Sequence, residues 1–261
     1  MATYNKIDVG GYQLAYQTFG DGEPTVVFEC GIEDSSQSLA NLAHEVQSFS
    51  RTFIYDRAGL GQSDPAPRPR TIQDAVNDLN KLLHHAAIPE PYLLVGHSFG
   101  GLILRQYAAQ HPHEVAGLIL LDSPQPELAL RELACLPSPS PQEPASLKAF
   151  REHALTEWND PTSNAEGFDI AASAQQFMNS RSLDALPLVV ITAGKDEWDE
   201  GFPAEIARAL EEDWMRMQQE FVQLSSNSQH IIAHESTHAI QDCQPDLVVA
   251  AIREMLESTR S

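Results

Sequence analysis

Gly96-His97-Ser98-Phe99-Gly100, with Gly101 directly after it, places one serine between glycines. The apolar run Tyr92 to Val95 precedes it, and a helical pattern begins at Leu102. A strand that turns abruptly into a helix strains the serine's backbone and brings strand and helix too close for larger side chains, hence the glycines. That is the G-x-S-x-G context of a serine nucleophile presented above a sheet at the start of a helix. Serine is a poor nucleophile at its ordinary pKa and needs a base within hydrogen-bond reach. Of the ten histidines, His238 follows the last strand pattern, His230 to Ala233, and precedes a helix opened by Pro245. It therefore falls in a loop at the strand ends, whereas His97, inside the motif, reads as a packing residue. Two carboxylates could orient His238: Asp122, ending the run Val115 to Leu121, and Asp196, after Leu186 to Thr192. The chemistry leaves both open.

A rival motif overlaps the histidine. His234-Glu235-Ser236-Thr237-His238 matches H-E-x-x-H, in which two histidines one helical turn apart bind zinc and the glutamate acts as base; Glu257 could serve as third ligand. That chemistry needs a helix. Here the β-branched pair Ile231-Ile232 follows the polar turn Ser225-Ser226-Asn227-Ser228, and Ser236-Thr237 weaken helix propensity. No metal and no cofactor are expected. Residues 196–213 carry eight acids against one base, Arg208, which reads as a solvated helix face rather than a cation site.

The elements that must position these groups alternate. Lys6 to Val9 and Tyr12 to Phe19 read as a hairpin about Gly10-Gly11. Thr25 to Glu29, Thr52 to Tyr55, Tyr92 to Val95 and Val115 to Leu121 read as strands, and their near-continuous apolar content suits a parallel sheet covered on both faces. Helical patterns span Ser35 to Phe49, Ile72 to Ala86 and Phe99 to Gln110, the last stopped by Pro112. Such alternation implies an α/β fold with right-handed crossovers and ligands at the strand C-termini. From Pro124 to Ala185 the chain gains prolines and loses strand runs, with short helices at Leu147 to Trp158 and Ile170 to Arg181, which reads as an inserted lid. The strand pattern resumes at Leu186 to Thr192, followed by a long helix over Pro203 to Leu224 and a last one from Pro245.

Composition bounds the answer. With 261 residues, 42% apolar, the chain can build one large domain with a real core. Its 16 basic and 37 acidic residues give a net charge of −21, which offers no footprint for nucleic acid or an anionic membrane and disfavours highly anionic substrates. Three cysteines (Cys30, Cys135, Cys243) make no disulfide framework. The first residues lack the apolar stretch of a signal peptide and no long apolar run follows, so a cytoplasmic location is expected.

The chain resembles the α/β-hydrolase-fold superfamily over nearly its whole length. Beside the serine motif, Tyr55-Asp56-Arg57-Ala58-Gly59-Leu60-Gly61-Gln62-Ser63-Asp64 resembles that family's D-x-x-G-x-G-x-S loop, and Thr237-His238-Ala239-Ile240 with Pro245 resembles its G-H-x-I…P segment. Where most members carry His-Gly after the third strand, this chain reads Phe28-Glu29-Cys30-Gly31-Ile32. The resemblance implies an oxyanion hole from the backbone N–H groups of Ile32 and Phe99, which does not depend on that histidine. For the acid the resemblance offers both placements: Ala193-Gly194-Lys195-Asp196 approximates the family's common G-x-x-D after the late strand, and Gly117 to Asp122 resembles members that carry the acid after the preceding core strand; Asp122 is favoured over Asp196. Implied are a first core part (1–123), a lid (124–185) and a second core part (186–261). Implied too is a metal-free serine hydrolase of small to medium, uncharged acyl esters. Other reactions of the same triad (lactone, amide or C–C bond hydrolysis) and a triad-bearing ligand receptor are the alternatives. Dehalogenase and epoxide hydrolase chemistry is disfavoured, since those members use aspartate where Ser98 stands.

Overall fold

Every apolar run expected as a strand forms one. The computed structural model describes residues 4–156, 160–177, 182–195, 198 and 201–259. Within them run β1 (Asn5–Asp8), β2 (Gln13–Phe19), β3 (Thr25–Glu29), β4 (Thr52–Tyr55), β5 (Tyr92–His97), β6 (Val115–Leu121), β7 (Leu188–Ala193) and β8 (Ser228–Ala233). They form a single sheet in the order β1-β2-β4-β3-β5-β6-β7-β8. β1 and β2 are antiparallel to their neighbours, and the other pairings are parallel. Register aligns Phe28 with Val95, Val95 with Ile119, and Leu121 with Ile191.

The helices are α1 (Ala40–Val46), α2 (Ile72–His85), α3 (Phe99–Gln110), α4 (Leu128–Cys135), α5 (Ala145–Thr156), α6 (Ile170–Phe177), α7 (Ala204–Val222), α8 (Ile240–Cys243) and α9 (Pro245–Thr259). Side chains alternate across a strand, so each strand feeds two cores. Val26, Phe28, Leu93, Val95, Ile119 and Leu121 pack on α1 and α9 through Leu42, Val46, Val248 and Ile252. Val27, Leu94, Leu118, Leu120 and Val190 pack on α2, α3 and α7 through Val76, Leu79, Ile103, Tyr107 and Phe221. Burial on both faces is why these strands lack a polar alternation, and each fully buried leucine contributes about 2 kcal/mol. The α/β expectation holds: this is the α/β-hydrolase arrangement, a mostly parallel sheet between helical layers.

Some boundaries differ from the sequence reading. The helix expected over Ser35 to Phe49 opens as a 3₁₀ turn, Ser36–Leu39, whose first amide is taken by Asp56 Oδ1 at 2.8 Å instead of waiting for a helical partner. β7 starts after Pro187, which has no N–H for the ladder. α4 forms where no helix was expected. In the stretch 124–185, α4 and α5 lie with the start of α7 around Leu136, Leu147, Ile206 and Leu210, whereas Phe168, Ile170 and Phe177 join the α2–α3 core. Among the described residues no helix is long and apolar enough to cross a membrane.

Candidate active site

Parallel strands pointing one way deliver the loops after β3, β5, β6 and β8 to one edge of the sheet. Ser98 sits between β5 and α3 with φ 51° and ψ −126°, a left-handed conformation that costs a serine about 1–3 kcal/mol. The strain is held by hydrogen bonds: Ser98 N–H donates to Leu121 O at 2.9 Å, and Gly101 N–H to Ser98 O at 2.9 Å. The flanking glycines allow the crossing. A methyl on Gly96 would lie 2.7 Å from Gly101 Cα, and one on Gly100 would run into the carbonyl oxygens of Glu29 and Cys30.

The structure brings His238 and Asp122 together, 116 residues apart in sequence, with Nδ1 and Oδ2 at 2.7 Å. Asp122 Oδ1 accepts from the backbone N–H of Ala193 and from Trp214 Nε1–H, both at 3.0 Å. With its other oxygen saturated, the carboxylate can serve the imidazole only through Oδ2, which places the His238 proton on Nδ1 and leaves Nε2 as base. Asp196, the other sequence candidate, lies outside the described residues.

His97 does more than the packing read from sequence. Its Nε2–H donates to the backbone carbonyl of His238 at 3.0 Å, and the two rings lie 4.8 Å apart. Burial, and next the neighbouring His238 charge, push the His97 pKa down to about 4, so this ring stays neutral at physiological pH. It can hold the His238 loop without repelling an imidazolium there. The signal was its place in the serine motif: a polar ring at the end of a wholly buried strand needs a partner.

Glu29 and Arg57 answer how the loop of Ile32 is supported without the family's usual histidine. Glu29 is buried at the end of β3 and would be costly alone. Arg57 Nη1 donates to Glu29 Oε1 at 2.7 Å and to Cys30 O at 2.7 Å, and Nη2 donates to Gly31 O at 2.6 Å. On its other side Arg57 grips Glu166 through Nε at 2.6 Å and Nη2 at 2.7 Å, and Glu166 also accepts the Glu33 N–H. The Tyr55 hydroxyl donates to Glu29 as well. Burial raises the Glu29 carboxyl above the usual carboxylate range, against the pull of Arg57. Arg57 thus clamps the two carbonyls immediately before Ile32. Replacing Arg57 by Met strands two buried carboxylates, so denaturant titration should show a loss of about 3–5 kcal/mol. Adding Glu29→Gln and Glu166→Gln to it should recover part of that loss.

Ile32, Ser98, Phe99, Asp122 and His238 all border one cavity of about 330 Å³. Pro124, Leu128, Trp198 and Trp214 add to its apolar wall, and Glu132, Lys195 and Glu211 add charged groups. Glu132, on α4, is only 8% exposed, and burial followed by the nearby Asp213 charge pushes its carboxyl from 4.5 up to about 7. A carboxyl whose pKa rises on folding contributes no penalty below its unfolded value and its full penalty above its folded one. Raising it from 4.5 to about 7 corresponds to about 3 kcal/mol at full ionisation. Glu132→Gln should therefore melt several degrees above the parent protein at pH 8, with the difference vanishing near pH 4.5.

Residues 234–238 form a turn after β8, not a helix, and His238 Nδ1 is committed to Asp122. The H-E-x-x-H pattern therefore does not present His234 and His238 on one helical face, and Glu257 lies far along α9. Among the described residues, the group whose ligand atoms converge for a metal is His84, Glu90 and Glu114, at the opposite, N-terminal edge of the parallel strands and largely exposed.

Comparison with known proteins agrees with this fold. A protein of Bacillus subtilis (strain 168), described as uncharacterized protein YqjL, is 30% identical over 90% of this chain and 85% of its own length. A thermophilic esterase from Thermogutta terrifontis superposes with a TM-score of 0.65 over 100% of both chains at 21% identity. The proline iminopeptidase of Mycobacterium smegmatis does so with a TM-score of 0.69 over 98% of both at 18% identity, likenesses that show the fold alone. Residues 24–165 match the family described as alpha/beta hydrolase fold. With the sheet order, the strained serine after β5 and this match on the page, the chain belongs to the α/β-hydrolase fold family.

Proposed function

We propose that the protein is a serine hydrolase that cleaves carboxylic esters through an acyl-enzyme, with Ser98 as nucleophile, His238 as general base and acid, and Asp122 as the acid that orients it. The observation carrying this reading is the strained Ser98 bordering the same cavity as a His238 whose Nδ1 meets Asp122 at 2.7 Å. Ser98 Oγ attacks the acyl carbon while His238 Nε2 takes its proton. Asp122 keeps the tautomer and stabilises the imidazolium. The N–H groups of Ile32 and Phe99 hold the tetrahedral oxyanion, each such donor worth about 3 kcal/mol. Collapse expels the alcohol, which takes the proton from His238. Water, activated by the same Nε2, then attacks the acyl carbon and releases the acid and free Ser98. The lid is proposed in a narrower form than 124–185: α4 roofs the cavity with Leu128 and Glu132.

The test is intact-protein mass after incubation with a fluorophosphonate, followed by peptide mapping. One adduct on Ser98 is expected. No adduct on folded protein overturns the reading and favours a ligand-binding role for the cavity.

A further inference from the structure

Glu132 lies one helical turn from Leu128 on the inward face of α4, and both border the cavity that Ser98 borders. Its Oε2 is buried with no hydrogen-bond partner among the described residues. A buried carboxyl normally has a cation or several donors. The nearby cations are otherwise engaged. Arg131 holds Asp213 at 2.9 Å and Glu220 at 2.7 Å, Arg216 holds Asp213 at 2.8 Å, and Lys195 in the cavity wall pairs with Glu235 at 3.3 Å. The charged neighbour that acts on Glu132 is another carboxylate, Asp213.

The rest of the wall fits a cation too. Trp198 and Trp214 border the same cavity, and indoles are the side chains best suited to attract a cation. The net charge of −21 draws cations and repels anions at long range. We propose that Glu132 is a specificity-determining residue of this cavity and selects esters whose acyl group ends in an ammonium. This rests on the hydrolase reading and names its substrate class. The carboxyl, which stays protonated up to about pH 7 in the empty cavity, is stabilised in its ionised form once the ammonium arrives, and the counter-charge it lacks within the fold comes from the substrate.

The experiment compares methyl 6-aminohexanoate with its uncharged isostere methyl heptanoate at pH 8, together with pairs of shorter and longer tether, by pH-stat. The wild-type protein should show kcat/KM at least about tenfold higher for the ammonium ester of the best-fitting pair, about 1.4 kcal/mol. Glu132→Gln should bring that ratio to about one. A wild-type ratio of one or below across the tethers, or a ratio untouched by Glu132→Gln, overturns the proposal. Calorimetric titration with hexylammonium and 1-hexanol reads the same site without catalysis. Tighter binding of the ammonium, lost in Glu132→Gln, supports the proposal, whereas equal binding makes Glu132 a neutral hydrogen-bond partner and overturns it. Fluorophosphonate labelling of the same preparation separates the failures. Label without ammonium preference sinks the inference and leaves the hydrolase; absence of both label and turnover sinks the hydrolase and the ester selectivity with it, and the titration then reads only whether Glu132 binds an ammonium.

Discussion

Ser98→Ala should abolish turnover of an activated ester, with kcat falling by about 10⁶-fold, the size of loss seen when a triad nucleophile is removed. The reason is chemical: without Oγ no acyl-enzyme forms, and what remains is the rate that a cavity with two oxyanion donors provides for attack by water. Ser98 is held by its backbone, through N–H to Leu121 O and its carbonyl to Gly101 N–H, so the substitution leaves those bonds intact. Alanine tolerates the left-handed φ no better than serine, and the melting temperature should stay close to that of the parent. Steady-state turnover with a parallel thermal melt is the check. Activity within about tenfold of the parent in a folded variant would reject Ser98 as nucleophile.

Asp122→Asn should cost about 10⁴-fold in kcat with little change in stability. Oδ1 accepts from Ala193 N–H and Trp214 Nε1–H, so the introduced amide must keep its oxygen there and turn its NH₂ toward His238. An NH₂ facing Nδ1 makes that nitrogen an acceptor and moves the imidazole proton to Nε2. A protonated Nε2 cannot take the Ser98 proton. The pair at 2.7 Å is preserved in shape and reversed in direction, so geometry survives while basicity is lost. The rate of fluorophosphonate labelling should fall with kcat, since both need Ser98 deprotonated. Near-native turnover would remove Asp122 from the mechanism and return attention to Asp196.

The sequence alone determined the parts of this protein that are written in short stretches. Five apolar runs became β3 to β7, because residues buried on both faces of a sheet must be apolar whatever follows them, while β1, β2 and β8 are partly exposed and carry polar residues. The serine's strained turn was legible because Gly96, Gly100 and Gly101 surround it within six residues, and the steric need for them is local. The position of His238 in a loop at the strand ends was legible from its place after the last strand. What only the tertiary structure decided are pairings between distant segments. Asp122 meets His238 across 116 residues, and Arg57 meets Glu166 across 109. Glu29, a charge at the end of an apolar strand, signalled that a partner was required but not which one. Glu132 gave no signal, since a glutamate on a surface helix and one buried over a cavity look alike in sequence. Strand and turn preferences act over a few residues, whereas the meeting of a carboxylate with its arginine or histidine depends on how sheet, crossovers and roof pack together, which no local pattern encodes.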